Sequence, residues 1–328
     1  MHPTIHFDTR WFGNHGIGRF AQELFHRLPG ARPLPILGPK LSPIDPLAST
    51  WALARLRDGR YFSPGFNPPL ASPIPFVFTI HDLIHLKVPG ESSALRRLYY
   101  ETVVRPAVRR ARRVLTVSEH SRADILAWSG APPWQVEVVG NGVGPAFQPD
   151  GAVHRPGAPY FLHVGRRASH KNVDRLLQAF ALLRGREGVR LLFTGAPDAP
   201  TMQWARAAGV AEAITFAGEP DDAGLAALYR GAVALVFPSL YEGFGLPVVE
   251  AMACGTPVVT SGSTSLAEVA GPGNALLVEP ERVESLVHAM QQMLDDAALR
   301  ATLAGRGIER ARAFRWEAVA GRVRAALD

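Results

Sequence analysis

Residues 241–259 read YEGFGLPVVEAMACGTPVV and join a glycine loop to a short helix and a strand. Pro247 suits the first position of a helix, where its missing N–H costs nothing. Gly255 suits the residue after the last turn, and the apolar run that follows it reads as a buried strand. The pattern therefore predicts Glu242 on the loop and Glu250 in the first turn of the helix.

The loop also predicts a binding site for an anion. The backbone N–H groups of Phe244, Gly245 and Leu246 come just before the helix, at the positive end of its dipole, where anions bind readily. Glu242 and Glu250 flank these groups with carboxylates, which accept hydrogen bonds from hydroxyls. A ligand that is part phosphate and part polyol would satisfy both halves. The alternative is a loop that needs its glycines, followed by a helix whose dipole favours a nearby acidic residue.

The whole stretch resembles the Glu-x7-Glu signature of retaining glycosyltransferases of family four, which have the GT-B fold. This resemblance implies that Glu250 binds the ribose hydroxyls of a nucleotide sugar. It assigns the donor sugar to Glu242 and to the loop beside it, namely Gly243, Phe244, Gly245 and Leu246.

Strands and helices alternate along the chain, which predicts an α/β fold. Nine of the twenty residues from 140 to 159 are Gly or Pro, a composition typical of a linker. We therefore expect two facing, doubly wound parallel-sheet domains, an acceptor-side domain at 1–150 and a nucleotide-sugar domain at 151–312. Ligands of such sheets bind beyond the carboxyl ends of the strands, which predicts an interdomain cleft. The resemblance implies that residues 313–328 form a helix that packs back on the first domain.

A second polar segment follows the strand expected from residue 160. Gly165 and Arg166 come at the end of this strand, and Lys171 comes five positions later, before Asn172, which can cap the next helix. Arg offers a planar fork and Lys a compact charge, and both suit a diphosphate. Lys171 is one of only three lysines in the chain. The run resembles the Gly-Arg-x4-Lys pair with which the family binds the donor diphosphate, and Arg167 replaces Arg166 if the register slips by one.

Gly16 and Gly18 belong to a Gly-x-Gly-x-x-Ala pattern, which is a weak dinucleotide fingerprint and raises an NAD-dependent dehydrogenase as a rival. The loop ahead of these glycines is too long for the tight turn of that fold, and no acidic residue follows the apolar pair at 36–37. The segment more closely resembles the Gly-Ile-Gly-Arg loop of O-antigen-type mannosyl- and rhamnosyltransferases of family four. That resemblance implies that Gly16 and Gly18 approach the donor phosphate and the acceptor.

Further site residues come from the resemblance alone. His81 follows the apolar strand at 76–80, and the family keeps a histidine there that touches the donor sugar; without that position, a lone histidine is more often structural. Gly218 and Glu219 match the place where backbone groups meet the nucleotide base.

We expect metal-independent transfer, with no cofactor beyond the nucleotide sugar. The sequence contains no Asp-x-Asp, whereas a divalent cation on a diphosphate normally needs such carboxylates. Arg166, Lys171 and the helix-end amides supply positive charge instead. The resemblance implies retention, with the acceptor hydroxyl attacking from the face of the leaving group. The catalytic residues are then His81, Arg166, Lys171 and Glu242.

The preferred donor is GDP-mannose, and the preferred acceptor is a glycan or lipid-linked hydroxyl in surface polysaccharide or O-antigen-type synthesis. This choice rests on the Gly-Ile-Gly-Arg resemblance. The alternatives are a UDP- or dTDP-sugar used on the same fold, a GT-B sugar-nucleotide epimerase, or the dehydrogenase already named.

Composition predicts a cytoplasmic globular protein. Hydrophobic residues make up 47% and charged residues 20% of the chain, and no stretch approaches the roughly 20 apolar residues of a membrane span. The segment Met1-His2-Pro3-Thr4 shows no signal-peptide pattern, and the single cysteine, Cys254, cannot form an internal disulfide. We expect Cys254 to be a packed residue.

The net charge of +6 includes a basic stripe of seven arginines from Arg96 to Arg113. Such a helix can lie on an anionic membrane surface, which predicts peripheral contact with the inner membrane face. A solvated helix face is the alternative. Nucleic acid is not expected as a partner because no recognition motif accompanies the charge.

Overall fold

The computed structural model describes residues 3–38, 40, 42, 44–185 and 187–328. Met1 and His2, the start of the segment in which we expect no signal peptide, lie outside the described residues. The chain divides into two compact units, a first unit of Met1–Gly142 with Arg315–Asp328 and a second unit of Val143–Phe314. These junctions lie near the expected ones at 150/151 and 312/313, which stay predictions.

The sheet of the first unit has six parallel strands in the order β2-β1-β3-β4-β5-β6. Its strands are β1 (Ile5–Phe7), β2 (Ala31–Pro33), β3 (Arg60–Ser63), β4 (Phe76–Thr79), β5 (Arg113–Thr116) and β6 (Val136–Val138). Its helices are α1 (Gly16–Arg27), α2 (Asp45–Leu53), α3 (Ile84–Lys87), α4 (Ala94–Tyr99), α5 (Arg105–Arg110), α6 (Glu119–Ser129) and the C-terminal α14 (Trp316–Leu327).

The sheet of the second unit also has six parallel strands, in the order β12-β11-β10-β7-β8-β9. Its strands are β7 (Tyr160–His163), β8 (Arg190–Phe193), β9 (Ile214–Phe216), β10 (Ala234–Phe237), β11 (Val258–Ser261) and β12 (Leu276–Val278). Its helices are α7 (Val173–Ala181), α8 (Ala199–Ala207), α9 (Asp222–Gly231), α10 (Leu246–Ala253), α11 (Thr264–Ala270), α12 (Val283–Asp295) and α13 (Ala297–Ala311). The expected α/β class with two parallel sheets is confirmed.

Burial explains why these segments form strands and helices. Strands β4, β7, β10 and β11 are buried at every position, as expected for parallel strands that helices cover on both faces. Helix α1 buries Phe20, Ala21 and Leu24 on one stripe, and α7 does the same with Leu176, Leu177 and Phe180. Each unit therefore has its own apolar core between sheet and helices.

The helix expected to carry the stripe from Arg96 to Arg113 forms in three segments and ends at Arg110, so Arg112 and Arg113 lie beyond it. Helices α4 and α5 are separated by a π-helical turn at Tyr100–Val104. Pro106 at the start of α5 explains the interruption, because proline donates no backbone hydrogen bond and its ring crowds the preceding turn.

The C-terminal helix α14 belongs to the first unit and packs on α1 and β5. Trp316 is buried against Phe20, with the ring centres 6.3 Å apart. A Cβ added at Gly142 would lie 2.6 Å from the Trp316 ring, so the backbone needs a glycine to pass this side chain. No helix within the described ranges is long and apolar enough to cross a membrane.

Candidate active site

The candidate site in the second unit lies at the carboxyl edge of its sheet. Strands β7 and β10 are neighbours in this sheet, so the loops that follow them meet. Gly165 and Arg166 lie on the loop after β7, and Glu242 lies on the loop after β10. Topology thus brings together two segments that are far apart in the sequence.

Helix α10 begins one residue earlier than expected. Gly245 occupies the N-cap position with φ +98°, and Leu246 is the first helical residue. Pro247 is therefore second, and the prediction that Glu250 lies in the first turn is wrong, because Glu250 is the fifth residue and belongs to the second turn. Gly255 follows the helix with φ +73°, the left-handed conformation that favours glycine after a helix end.

The glycine loop presents backbone donors that the chain itself does not use. Within the described residues, the N–H groups of Phe244, Gly245 and Leu246 find no acceptor. The hydroxyl of Ser265, on α11, holds the loop in place by donating to the Glu242 carbonyl at 2.8 Å, and it approaches the Phe244 carbonyl at 3.3 Å. Three N–H groups at a helix N-terminus can bind an anion.

Glu250 is buried and accepts a hydrogen bond from Tyr229. The Tyr229 hydroxyl, on α9, donates to Glu250 Oε2 at 3.0 Å, and Tyr229 is itself fully buried. A buried carboxylate is costly unless donors surround it. The phenol therefore both stabilises Glu250 and fixes the direction of its side chain.

Lys171 and Glu242 form an ion pair. Lys171 Nζ lies 2.6 Å from Glu242 Oε1, and both side chains are largely buried. The same ammonium lies 4.5 Å from the centre of the Phe237 ring, at the end of β10, which is within cation–π range. These two contacts fix the Lys171 ammonium next to the glycine loop.

The two adjacent arginines, Arg166 and Arg167, have different surroundings in the structure. Arg166 is exposed, whereas Arg167 is directed inward, where it donates to Asp198 and, at 2.6 Å, to the Thr194 carbonyl. The Arg167 guanidinium also lies 5.3 Å from the centre of the Phe216 ring. Arg167 thereby ties the loop after β8 to the end of β9, and of the two arginines Arg166 stays the candidate for a diphosphate.

Asn172 occupies the N-cap position of α7, as expected, but its side chain does not cap the helix. The residue has φ +60°. Its amide instead donates to the Pro238 carbonyl at 3.1 Å and to the Pro280 carbonyl at 2.6 Å. The side chain is used to hold together the loops around Lys171.

Gly218 and Glu219 lie on the loop after β9, at the same edge of the sheet. Gly218 has φ +65°, and its carbonyl accepts a hydrogen bond from the N–H of Gly195, which itself has φ +84°. Glu219 is exposed. The two loops after β8 and β9 are thus joined through backbone atoms.

His163 is a buried residue to which the sequence reasoning gave no role. It ends β7, and its Nδ1 donates to the Val236 carbonyl at 2.9 Å, while its Nε2 has no hydrogen-bond partner among the described residues. Burial lowers the pKa of His163 to about 4, so the ring is neutral at neutral pH. The sequence signal that could have identified His163 is its position directly before the Val164-Gly165-Arg166 segment, which was assigned to the donor diphosphate.

His81 lies in the first unit, beyond the carboxyl end of β4. Its Nε2 donates to the Pro64 carbonyl at 2.9 Å, so Nδ1 of the neutral ring remains an acceptor. The ring packs edge to face with the Phe20 ring, and the two ring centres are 4.9 Å apart. Burial lowers the pKa of His81 to about 4, although the bond to Pro64 opposes this shift.

Gly16 and Gly18 open helix α1 in the first unit. His15 caps this helix, since its Nδ1 accepts a hydrogen bond from the Gly18 N–H at 2.9 Å. A Cβ at Gly18 would lie 2.1 Å from the Gly13 carbonyl oxygen. Gly18 is thus required by the packing of the loop on itself, whereas Gly16 is exposed as the first residue of the helix.

Acidic and histidine side chains do not gather into an evident metal site. Within the part of the chain that the structure describes, no group of three or more His, Cys, Asp or Glu residues could hold a metal ion. Cys254 is buried, and burial raises the pKa of its thiol to about 12. Cys254 is therefore a packed residue of the core, as expected.

Comparison with known proteins gives two family matches that adjoin each other. The model described as Glycosyltransferase Family 4 matches residues 10–147, and the model described as Glycosyl transferases group 1 matches residues 147–310.

Similar proteins include two curated mannosyltransferases and a solved complex. O-antigen chain mannosyltransferase B of Escherichia coli is 30% identical over 288 residues, 84% of this chain and 75% of that protein. MMP α-(1→4)-mannosyltransferase of Mycolicibacterium hassiacum is 34% identical over 270 residues, 77% of this chain and 65% of that protein. HepE of Anabaena in complex with UDP-glucose has a similar fold, with a TM-score of 0.76 over 98% of both chains at 18% identity.

One assignment follows from the two parallel sheets, the two adjoining family matches and the mannosyltransferase relatives. This chain belongs to the family-four, group-one glycosyltransferases and has their GT-B fold.

Proposed function

We propose that this protein transfers mannose from GDP-mannose, with retention of the anomeric configuration and without a metal, to a hydroxyl of a glycan or lipid-linked acceptor. The observation that carries the proposal is the grouping of Lys171, Glu242 and Glu250 around unused backbone N–H groups at one sheet edge. This set matches a nucleoside diphosphate sugar part by part, because such a donor carries hydroxyls at both ends and negative charge between them.

Glu250 binds the ribose in this proposal. Tyr229 holds its Oε2 at 3.0 Å, so the carboxylate has a fixed orientation before the ligand arrives. Hydrogen bonds between hydroxyls and a buried carboxylate are among the stronger kind. A preoriented acceptor also loses less conformational entropy on binding.

The diphosphate interacts with Arg166, Lys171 and the amides that precede α10. Lys171 is paired with Glu242 at 2.6 Å, so donor binding requires the ammonium to share or exchange this partner. Glu242 then accepts hydrogen bonds from hydroxyls of the sugar. The pair keeps both groups in position and desolvated, which favours electrostatic stabilisation of the leaving group.

The reaction exchanges one bond at the anomeric carbon for another. The bond from this carbon to the β-phosphate oxygen breaks, and a bond to the acceptor oxygen forms on the same face. The departing phosphate takes the proton of the acceptor hydroxyl. The role of His81 in this proposal comes from the family resemblance, and its pKa of about 4 keeps the ring uncharged, with Nδ1 as a hydrogen-bond acceptor.

Mannose as the transferred sugar is supported by the two curated relatives, both of which are mannosyltransferases by name. The O-antigen relative also supports an acceptor in surface polysaccharide synthesis. A UDP- or dTDP-sugar is the second candidate, and the HepE complex holds UDP-glucose in a similar fold.

The structure of the first unit argues against the alternative function of an NAD-dependent dehydrogenase. Residues 8–15 separate β1 from α1, whereas the dinucleotide fingerprint needs a tight turn there. The acidic residue that comes next after β2 is Asp45, which is buried and paired with Arg10 at 2.7 Å. Asp45 is therefore committed to the core and does not serve as a ribose ligand. A GT-B epimerase would bind the same donor but would not transfer the sugar.

We also propose that the protein works at the cytoplasmic face of a membrane, with the stripe from Arg96 to Arg113 against anionic lipid. Residues 96, 97, 105, 109, 110 and 112 of this stripe are exposed. A lipid-linked acceptor would then be reached from the surface in which it lies.

A nucleotide panel tests the donor assignment. Thermal unfolding is followed with GDP, UDP, dTDP, ADP and NAD present in turn, and GDP is expected to raise the midpoint most. Incubation of GDP-mannose with a lipid-linked glycan acceptor should then release GDP only when the acceptor is present, and NMR of the product should show an α-linkage. Stabilisation by NAD alone, or isomerised donor without transfer, would overturn the proposal.

A further inference from the structure

Three helices around the candidate site in the second unit begin at a residue of positive φ. Helices α7, α10 and α11 follow strands β7, β10 and β11, which are neighbours in the sheet. The three residues are Asn172 with φ +60°, Gly245 with φ +98° and Thr264 with φ +61°. Within the described residues, Asn172 and Thr264 are the two residues other than glycine that have a positive φ. Both therefore lie at the edge of the sheet that carries the candidate site.

Thr264 is the unusual member of this set. Glycine adopts the left-handed conformation without steric cost and asparagine tolerates it, whereas a β-branched residue is strained there. Such strain persists only where the surrounding structure imposes it, and strained residues of this kind cluster at functional sites. The turn alone does not explain a threonine at this position, because a glycine would make the same turn without strain.

The side chain of Thr264 has a second unfavourable feature. Its hydroxyl oxygen is buried and has no hydrogen-bond partner among the described residues. Buried polar groups are nearly always hydrogen-bonded, and one that is not lowers stability. His163 Nε2 and Ser239 Oγ are also buried without a partner, and both lie at or just after the end of a strand. In the described part of the second unit, such atoms thus gather at the carboxyl edge of the sheet.

The two residues after Thr264 contact the glycine loop. Ser265 is fully buried, and its hydroxyl donates to the Glu242 carbonyl at 2.8 Å. Leu266 is also fully buried, and it lies so close to Gly245 that a Cβ on this glycine would collide with it. The three residues from 264 to 266, which we call the α11 support, therefore hold the loop that presents Glu242 and the unused backbone N–H groups.

We propose that Thr264 is a positioning residue for donor binding, which acts through the α11 support on the glycine loop. A threonine has fewer accessible backbone conformations than a glycine, so it keeps Ser265 and Leu266 against the loop. A loop that is held in place before the ligand arrives loses less conformational entropy on binding. The strain at Thr264 in the empty protein is thus compensated by tighter binding of the donor. This inference rests on the proposed donor site, and it does not depend on the identity of the sugar or the acceptor.

Thermal unfolding and isothermal titration of the full chain test this inference together. The titrated probes are GDP and UDP. The variants are Thr264→Gly, Ser265→Ala and the double variant that carries both changes. The matched control is Ser263→Gly, which places a glycine at the neighbouring residue. Ser263 has an ordinary φ of −121°, and its exposed side chain makes no hydrogen bond that caps α11.

Thr264→Gly should raise the midpoint of thermal unfolding by about 2 °C, because it removes both the strain and the buried hydroxyl. The rise is small because glycine also makes the unfolded chain more flexible. The same variant should bind the nucleotide about tenfold more weakly, because the loop is no longer held in place. A merely structural threonine would not give higher stability together with weaker binding. Ser263→Gly should bind as the wild type does and should not raise the midpoint. The double variant should bind no more weakly than the weaker of the two single variants, because Thr264 acts through the segment that contains Ser265.

Three results would overturn the inference and leave the proposed donor site standing. A raised midpoint of Thr264→Gly with an unchanged Kd would show that the strain has no role in binding. A lowered midpoint would show that the threonine is not strained at this position. Independent losses, in which the double variant multiplies the two single effects on the Kd, would show that Thr264 does not act through Ser265. A wild type that binds neither nucleotide would instead remove the donor site itself, and this inference with it.

Discussion

Replacement of Tyr229 by phenylalanine removes one oxygen from a buried pair and should weaken donor binding. The Tyr229 hydroxyl lies 3.0 Å from Glu250 Oε2, and both residues are buried. A hydrogen bond to a charged group contributes about 1.5–3 kcal/mol. If half of this free energy, about 0.75–1.5 kcal/mol, is lost from the orientation of Glu250 for the ribose, the Kd for GDP rises about three- to twelvefold.

Isothermal titration of GDP into Tyr229→Phe measures this loss, and Tyr160→Phe is the matched control. Tyr160 is also buried in the second unit, but its hydroxyl donates to a backbone carbonyl, that of Leu228, at 2.6 Å. Both variants should lower the melting temperature, whereas only Tyr229→Phe should raise the Kd. Equal Kd values for Tyr229→Phe and wild type would refute the positioning role of Tyr229.

Three more predictions concern charge and pH. Lys171→Ala should lower kcat about a hundredfold, as expected for the loss of a group that stabilises a leaving group. The control is Lys87→Ala, which breaks an ion pair with Asp124 elsewhere and should leave kcat unchanged. Equal turnover of the two variants would remove Lys171 from the diphosphate site. Addition of a chelator should leave the transfer rate unchanged, and a rate that falls with EDTA and returns with a divalent cation would contradict metal-independent transfer. Burial lowers the pKa of His163 from 6.5 to about 4. Between these pH values the unfolded chain binds a proton at His163 that the folded chain does not bind. The free energy of unfolding should therefore fall by about 3 kcal/mol as the pH drops from 6.5 towards 4. Denaturation of His163→Asn should show a shallower loss than that of wild type or of the exposed His288→Asn, and identical slopes would argue against a neutral buried His163.

Strands with strong local patterns were predictable from the sequence. The apolar strand expected at 76–80 agrees with β4 within one residue, and the strand expected from residue 160 begins there as β7. Strands β2, β3, β6 and β12 were not expected. They are three or four residues long and include charged or exposed positions. They form strands because they pair with segments that are distant in the sequence, and such pairing leaves no local sequence pattern.

The site was predictable where a loop and a helix lie next to each other in the sequence. The glycine loop, Glu242 and the unused N–H groups follow from local signals of this kind. The error over Glu250 came from the helix start, where the positive φ of Gly245 makes Leu246 the first helical residue. Tyr229 and Ser265 could not be found, because each contacts the site from another helix and carries no motif of its own.

Helix α2 exposes Leu47 and Trp51 on its outer side, and the sequence alone did not predict this exposure. Leu47 and Trp51 have the spacing of an ordinary core-facing stripe, and the sequence alone does not say which side of the helix faces the sheet. Only the burial of Ser49 and Leu53 on the opposite side shows that the larger apolar residues point outward.

Calorimetry of GDP binding to Glu250→Ala tests the central claim most directly, namely that a carboxylate on α10 holds the ribose of a nucleotide sugar. The matched control is Glu284→Ala, which removes an exposed glutamate from α12 in the same unit. Loss of hydrogen bonds to a charged group costs about 1.5–3 kcal/mol, so Glu250→Ala should raise the Kd at least tenfold while the control binds as the wild type does. A folded Glu250→Ala protein with wild-type affinity for GDP would contradict the account.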